Sequence, residues 1–233
     1  MTTARSAARR RLADVRQRIA RAAVAADRDP ADVRLLLATK SMPTDVVRSV
    51  VEAGGDLLGE NRVPELLEHA PALADLRPEI HFIGHLQSNK IAAALPWVGC
   101  VQSVDTLALA ERLSRRCAVL GRDLDVMVQV NVSAEPTKHG TTPDDAAALA
   151  EAVATLPHLR LTGFMTIGAN SPDERLVRAG YARLREARDA VVGDRPEARE
   201  LSMGMSGDLE LAIAEGATIV RVGTAVFGPR QKG

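Results

Sequence analysis

Short apolar runs alternate with longer amphipathic stretches along the chain. The short runs are rich in Val, Ile and Leu, a composition that favours β-strands. The longer stretches carry apolar residues at helical spacing, and many open with Asp, Thr or Pro and close with Gly, as helix caps do. We count eight predicted strands, at residues 33–39, 56–60, 80–84, 100–104, 124–131, 159–167, 199–203 and 218–223.

This alternation predicts an α/β fold built from right-handed βαβ units around a parallel sheet. Eight units of about 25–30 residues match the size of a closed (β/α)8 TIM barrel. A doubly wound open sheet satisfies the same periodicity and is the alternative. Residues 1–28 predict an extra N-terminal helix that packs on the barrel. We expect residues 1–233 to form a single domain.

The composition narrows the class of function. Lys plus Arg and Asp plus Glu both number 30, so the net charge is zero and no global basic field attracts nucleic acid or an anionic membrane. Aromatic residues make up 2% of the chain, which argues against a base-stacking surface. The N-terminal segment lacks the apolar core of a signal peptide, and no apolar run reaches membrane-spanning length. We therefore expect a cytoplasmic protein in which Cys100 and Cys117 are reduced thiols.

Polar residues follow the predicted strands, whose carboxyl ends converge on one face of a barrel. Lys40 stands directly after the apolar run at residues 33–39. Partial desolvation there would favour the neutral amine, which is the form that makes a Schiff base. The alternative is a rim lysine whose stem packs on the barrel while its ammonium group reaches water.

The last two units contain a candidate phosphate site. Small residues lead into a helical pattern at Ser206 and Gly207, and Gly223 and Thr224 follow the eighth strand. Barrels often hold phosphate in these two loops, where backbone N–H groups at a helix N-terminus and hydroxyl groups act as donors. A plain helix cap at Ser206 and an ordinary glycine turn would leave the same pattern.

Arg221 lies in the eighth predicted strand, and a buried arginine needs a partner. The sequence leaves three partners open, namely Glu60, Glu210 and the ring of a ligand. Other chemistries fit less well. His81 and His85 flank the third strand without further ligands at metal spacing, so we expect no metal site. A nucleophilic serine elbow is also missing.

Six stretches, in order and across nearly the whole chain, carry a family resemblance. They are ATKSMP (38–43), GENRVPELLEHA (59–70), HFIGHLQSNK (81–90), VQVNVSAEPTKHG (128–140), GFMTI (163–167) and ELSMGMSGDLELAIAEGATIVRVGTAVFG (200–228). With these motifs the chain resembles the pyridoxal phosphate homeostasis protein family, whose barrel is similar to the N-terminal domain of alanine racemase. The segments IGHLQSNK and SMGMSGD are the most specific of them.

The resemblance implies pyridoxal 5'-phosphate (PLP), the cofactor form of vitamin B6, held as a Schiff base on Lys40. It implies phosphate contacts from the loops at residues 205–206 and 223–224, and it places Asn61 beside the cofactor. Arg221 would face the pyridine nitrogen, where a cation disfavours ring protonation and weakens the electron sink. The predicted cofactor-binding residues are therefore Lys40, Asn61, Met205, Ser206, Arg221, Gly223 and Thr224.

Other residues of the shared motifs are candidate secondary contacts. Lys90 and Lys138 match family lysines near the cofactor, and His85 lies in the same specific motif as Lys90. Arg62 stands where many members have Tyr, so the chain departs from the family pattern at this position. An arginine at this position would instead reach for a phosphate.

The resemblance also implies a function in intracellular PLP homeostasis, in which the protein holds the reactive aldehyde and releases it to apo-enzymes with little or no turnover. The alternative is a PLP-dependent amino-acid racemase, which needs a second base opposite Lys40. Relatives of the fold take that base from a tyrosine of a separate β-domain. We expect neither that domain nor the dimer it forms, and Tyr181 lies in a pattern expected on the outer ring of helices. A structural module without a ligand would leave the residues at the strand ends unexplained.

Overall fold

The structure, a computed structural model, describes residues 2–228 and contains a closed barrel of eight parallel strands. Each strand pairs with the next in the chain, and the first strand pairs with the last through Leu37 and Val222. The closed barrel is confirmed, and the open sheet is excluded. The strands are β1 (Arg34–Ala38), β2 (Leu57–Glu60), β3 (Glu79–Phe82), β4 (Cys100–Val104), β5 (Leu124–Gln129), β6 (Leu159–Met165), β7 (Glu200–Met205) and β8 (Ile219–Val222).

The helices form the outer layer around these strands. Within residues 2–228, no helix combines the length and apolar character that a membrane span requires. Over the same residues the helices are α1 (Thr2–Ala25), α2 (Thr44–Glu52), α3 (Val63–Ala72), α4 (Ile91–Ala94), α5 (Leu107–Leu120), α6 (Pro143–Ala154), α7 (Glu174–Val192), α8 (Leu209–Ala214) and α9 (Thr224–Phe227).

The helix α1 confirms the extra N-terminal helix, although it ends at Ala25 and not at residue 28. Its apolar residues Leu12, Val15 and Ile19 recur every three to four positions, so they share one face. All three are buried, and the helix contacts α2, α8 and α9. The helix α1 therefore packs beside the two short helices that follow β7 and β8.

Alternation along the strands divides the core into two layers, because successive side chains of a strand point to opposite faces. Leu36 points into the barrel, while Leu37 points outward toward the helices. Each fully buried leucine contributes about 1.5–3 kcal/mol to folding. The inner apolar cluster consists of Leu36, Leu57, Ile83, Cys100, Met127, Met165 and Ile219.

The strand β7 is longer than the sequence predicts. We expected it to end at residue 203, but pairing with β8 continues to Met205 opposite Arg221. Gly204 adopts a φ of +89°, and a Cβ there would lie 2.4 Å from the Cβ of Ala212. Only glycine fits this position, so the close approach of α8 to β7 depends on it.

Candidate functional site

A cavity of about 460 Å³ opens at the carboxyl ends of the strands. We call it the main cavity. All seven residues predicted to bind a cofactor line it, and the lining as a whole brings residues from six different strand ends to one place. The lining consists of Ala38, Lys40, Met42, Asn61, Ile83, Ile167, Met205, Ser206, Gly207, Arg221, Gly223, Thr224 and Phe227.

Lys40 stands two residues after β1, at the mouth of the main cavity. Thr39 fixes the backbone before it, because its N–H and its hydroxyl both donate to the carbonyl of Gly59 at 3.1 Å. Ser41 then turns the chain with a φ of +59°, which is uncommon for a residue with a side chain. Lys40 itself is exposed. Lys40 is therefore less buried than the sequence predicts, and the rim position of the alternative interpretation describes the location of this lysine.

Asn61 and Ile83 lie on the wall next to Lys40. Asn61 follows β2 directly, and the chain of Gly84 packs against it so closely that a Cβ on Gly84 would lie 2.0 Å from the Asn61 carbonyl oxygen. Ile83 is buried and presents an apolar surface to the cavity. This wall therefore offers an amide group beside an apolar face, a combination that suits a flat ring with polar substituents.

The opposite wall is a turn of small residues after β7, which we call the 205–208 turn (Met205, Ser206, Gly207 and Asp208). Asp208 closes the turn, because its Oδ1 accepts a hydrogen bond from the Met205 N–H at 2.6 Å. Its Oδ2 accepts a hydrogen bond from the Tyr181 hydroxyl at 2.8 Å. Arg18 of α1 supports the turn from outside, through a 2.7 Å hydrogen bond to the Ser206 carbonyl.

Donors of the 205–208 turn remain available to a ligand. Within residues 2–228, neither the N–H of Ser206 nor that of Gly207 donates to a protein acceptor. A Cβ on Gly207 would meet nothing within 4 Å, so the space in front of it is open. Gly223 and Thr224 lie beside this space. Uncommitted N–H groups and hydroxyls on small residues suit a phosphate group.

Arg221 forms the floor of the main cavity and is 5% exposed. Its Nη1 donates to the Ser202 hydroxyl at 2.9 Å and its Nη2 donates to the Thr166 carbonyl at 2.6 Å. Burial lowers the pKa of this guanidinium, while the neighbouring Tyr181 and Asp208 act in the opposite direction. Within the described residues, no carboxylate lies at ion-pair distance from the Arg221 guanidinium.

Neither acidic partner suggested for Arg221 by the sequence is correct. Glu60 is fully buried but faces the helix layer, where its Oε1 lies 2.8 Å from Nδ1 of His69 on α3. Glu210 forms an ion pair with Arg18 at 2.5 Å. The phase of β2 explains the first error, because Gly59 occupies the inward position and Glu60 therefore points outward.

A chain of hydrogen bonds runs from Arg221 through the barrel interior. The Ser202 hydroxyl donates to Gln102 Oε1 at 2.7 Å, and Gln102 Nε2 lies 2.7 Å from His81 Nδ1. His81 Nε2 lies 2.6 Å from Glu79 Oε1. An arginine side chain can only donate hydrogen bonds, so the bond from Arg221 fixes the direction of each later bond in the chain. Gln102 Nε2 then donates to His81 Nδ1, and His81 carries its proton on Nε2. Local sequence patterns do not reveal this chain, since Gln102 and Ser202 are 100 residues apart.

The candidate secondary residues lie outside the lining of the main cavity. The ammonium group of Lys138 is engaged by Glu135 Oε1 at 2.7 Å and by the Gly168 carbonyl at 2.8 Å. Lys90 is exposed at the end of a short 3₁₀ turn, and Arg62 is exposed before α3. His85 stacks on a second histidine of the same barrel face.

Comparison with known proteins places this site in context. The pyridoxal phosphate homeostasis protein of Pseudomonas aeruginosa is 48% identical over 226 residues, which cover 95% of each chain. A protein of unknown function from Bifidobacterium adolescentis superposes with a TM-score of 0.91 at 39% identity, over 97% of this chain and 96% of that one. PipY of Synechococcus elongatus PCC7942, solved with PLP bound, superposes with a TM-score of 0.82 at 34% identity, over 95% of this chain and 100% of that one.

A family model gives the same assignment over nearly the full length. The model described as the N-terminal domain of alanine racemase matches residues 11–231. That range contains all eight strands and every residue that lines the main cavity. The chain therefore belongs to the alanine racemase N-terminal domain family and, within it, to the pyridoxal phosphate homeostasis proteins.

Proposed function

We propose that this chain binds PLP in the main cavity, with Lys40 as the amine that holds it. We further propose that it serves PLP homeostasis in the cytoplasm, as a monomer with little or no catalytic turnover. One observation carries the proposal: a lysine amine, a turn with uncommitted N–H donors and a buried arginine without a carboxylate partner line the same 460 Å³ cavity.

The residues present fit the chemical groups of PLP. When bound, PLP would supply a reactive aldehyde, and the Lys40 amine would hold the cofactor through that group. Ser206, Gly207 and Thr224 would hold the phosphate, and the backbones of Met205 and Gly223 would frame it. Asn61 and the apolar face of Ile83 would orient the ring. Arg221 would place a fixed positive charge at the ring nitrogen and keep that nitrogen unprotonated.

The relatives support the same function. PipY, which shares 34% identity across the whole of its own length, was solved with PLP bound. The Pseudomonas aeruginosa relative carries the name pyridoxal phosphate homeostasis protein. We extend that role to this chain because the cavity retains each group that PLP would require.

The chemistry of the lining favours a carrier over a racemase. Racemisation with two bases needs a second proton-transfer group across the ring from the lysine. Among the described residues that line the main cavity there is no His, Tyr, Cys, Asp or Glu. Tyr181 is buried behind the 205–208 turn, and its hydroxyl is committed to Asp208. Lys40 and Arg221 are thus the titratable groups of the lining, and a guanidinium group stays protonated.

The first test is the absorption spectrum of the purified protein with added PLP, before and after borohydride reduction, followed by peptide mapping. We expect a reducible chromophore and a label on Lys40. The variant Lys40→Ala should lose the label and keep its circular dichroism spectrum. Lys90 is another exposed lysine on the same face of the barrel. The control variant Lys90→Ala should keep both the label on Lys40 and the circular dichroism spectrum. A label spread over surface lysines in the wild type would overturn the proposal.

Two further measurements separate a carrier from an enzyme. The loaded protein is incubated with L-alanine or D-alanine, and the opposite enantiomer is quantified. It is then mixed with an apo-enzyme that depends on PLP, and recovery of that enzyme's activity is followed. A carrier restores the apo-enzyme and leaves the alanine unchanged. Efficient racemisation would establish the enzymatic alternative.

A further inference from the structure

Three side chains at the carboxyl ends of neighbouring strands form a cluster that the sequence spacing does not show. His85 follows β3, Asp105 directly follows β4, and His139 lies in the loop after β5. One potential ligand atom from each lies within 4.8 Å of the other two. We call these residues the His–Asp–His cluster. None of them lines the main cavity, so the cluster is a separate feature of the same barrel face.

The geometry of the cluster brings nitrogen and oxygen atoms together. The rings of His85 and His139 stack with centroids 4.0 Å apart and an angle of 12° between their planes. Nδ1 of His85 lies 4.0 Å from Oδ2 of Asp105. Within the described part of the chain, the three side chains form no hydrogen bond with another residue. Their lone pairs therefore remain available to a ligand.

The backbone under the two histidines is held in place. Gly84, before His85, packs directly on the Asn61 backbone. The carbonyl of His139 accepts a hydrogen bond from the buried amide of Gln129 at 2.9 Å. Gly140 has a φ of +130°, and a Cβ there would lie 2.5 Å from a backbone nitrogen, so the loop packs tightly. Because the anchors are fixed, a ligand needs only side-chain rotations to gather the three groups.

We propose that the His–Asp–His cluster is a binding site for a divalent transition-metal ion of the Zn²⁺ type. Two neutral imidazoles and one carboxylate match the ligands of such ions, whereas Mg²⁺ and Ca²⁺ prefer oxygen alone. In a tetrahedral zinc site the ligand atoms lie about 3.4 Å apart, given bond lengths of about 2.0–2.2 Å. The groups need to close by roughly 1 Å, which exposed histidines achieve by rotation. Three protein ligands leave a fourth position open to water or to a small anion.

The test is titration of the untagged full-length protein with Zn²⁺ in PLP-free and phosphate-free buffer, with a chromogenic chelator as competitor. We expect one equivalent of Zn²⁺ to bind. The variants His139→Ala and Asp105→Asn should each weaken binding by at least about tenfold, because each removes one ligand of three. His158→Ala is the matched control, since His158 and Asp123 form another exposed pair at 3.1 Å and lack a third ligand.

A second readout separates coordination from a structural effect. Co²⁺ bound by nitrogen and oxygen ligands in a low-coordinate site gives visible absorption bands, which we expect for the wild type and for His158→Ala. Circular dichroism should remain unchanged in every variant. Absence of stoichiometric Zn²⁺ binding to the wild type would overturn the proposal. Equal loss of binding in His158→Ala and His139→Ala would do the same, because it would place the ion elsewhere.

Discussion

The hydroxyl of Tyr181 donates a hydrogen bond of 2.8 Å to the Asp208 carboxylate, which in turn holds the Met205 N–H at 2.6 Å. The tyrosine lies on the outer helix α7, yet its side chain is fully buried and reaches the back of the 205–208 turn. Burial raises the pKa of its phenol, and the nearby Asp208 acts in the same direction. Tyr181 therefore donates to Asp208 from behind the turn and supports its position.

We predict that Tyr181→Phe weakens PLP binding several-fold without unfolding the protein. The substitution keeps the ring and removes the hydroxyl, so Asp208 loses one of the two donors that fix it. Equilibrium dialysis with PLP measures the affinity. Ser114→Ala is the control, because it removes a 2.7 Å hydrogen bond to the Pro157 carbonyl far from the turn. Equal affinities for wild type and Tyr181→Phe would show that the turn is held without this contact.

The hydrogen-bond chain beneath Arg221 makes a second prediction. Ser202→Ala removes the acceptor of Arg221 and the donor to Gln102, which leaves two buried polar groups unsatisfied. The free energy of unfolding should fall by about 1–3 kcal/mol, and the absorption maximum of bound PLP should shift as the guanidinium relaxes. Urea denaturation and the visible spectrum measure the two effects.

Ser103, the residue after Gln102 on β4, offers a matched control for that substitution. Ser103 is buried, and its hydroxyl has no hydrogen-bond partner within the described residues. Ser103→Ala should therefore be neutral or slightly stabilising, because it relieves an unsatisfied polar atom. If both alanine variants were equally destabilised, loss of packing would explain the lower stability of Ser202→Ala. Loss of the hydrogen bonds to Arg221 and Gln102 would then not be its cause.

The two cysteines give a prediction for the native state. Cys100 lies in the barrel interior and Cys117 lies on the buried face of α5, and both are buried free thiols. Burial raises the pKa of each thiol, so the reactive thiolate is scarce. We expect no rapid reaction with a thiol-specific chromogenic reagent in native buffer and two reacting thiols in urea. Fast labelling of the folded protein would contradict the packing at these positions.

Local sequence information predicts the strands and one part of the site. Runs such as residues 33–39 have a period and composition that identify a strand, and the barrel brings their ends together, so Lys40, Arg221 and Thr224 follow from position. The phase of a short strand is harder to read, which is why Glu60 was expected at the wrong face. Contacts between distant segments leave no local signal. Arg18 reaches Ser206 across 188 residues, and no spacing rule predicts such a pair.

Glu60, which the sequence suggested as a partner of Arg221, instead pairs with His69. This ion pair is the most buried one among the described residues. Nδ1 of His69 faces the Glu60 carboxylate at 2.8 Å, and its Nε2 faces the Met42 carbonyl at 3.0 Å. Both partners are acceptors, so the ring satisfies both only when it carries two protons. Burial lowers the pKa of His69, but the hydrogen bond and charge of Glu60, together with the Met42 carbonyl and the charge of Glu68, outweigh burial, and the net pKa is raised. Met42 lines the main cavity, so this pair also supports the segment that carries Lys40.

The raised pKa of His69 fixes the sign of a pH effect on stability. The stabilisation is fully present below the unfolded pKa of about 6.5 and is lost as the pH rises through the higher folded pKa. We therefore expect the urea concentration at the unfolding midpoint of the wild type to fall as the pH rises above about 6.5. His69→Gln should lower the free energy of unfolding by about 3–5 kcal/mol, because Glu60 is left without its charged partner. The same variant should show a weaker dependence of the midpoint on pH over this range. His158→Ala removes an exposed pair and should keep the wild-type slope. An unchanged slope in His69→Gln would show that the buried ring stays neutral.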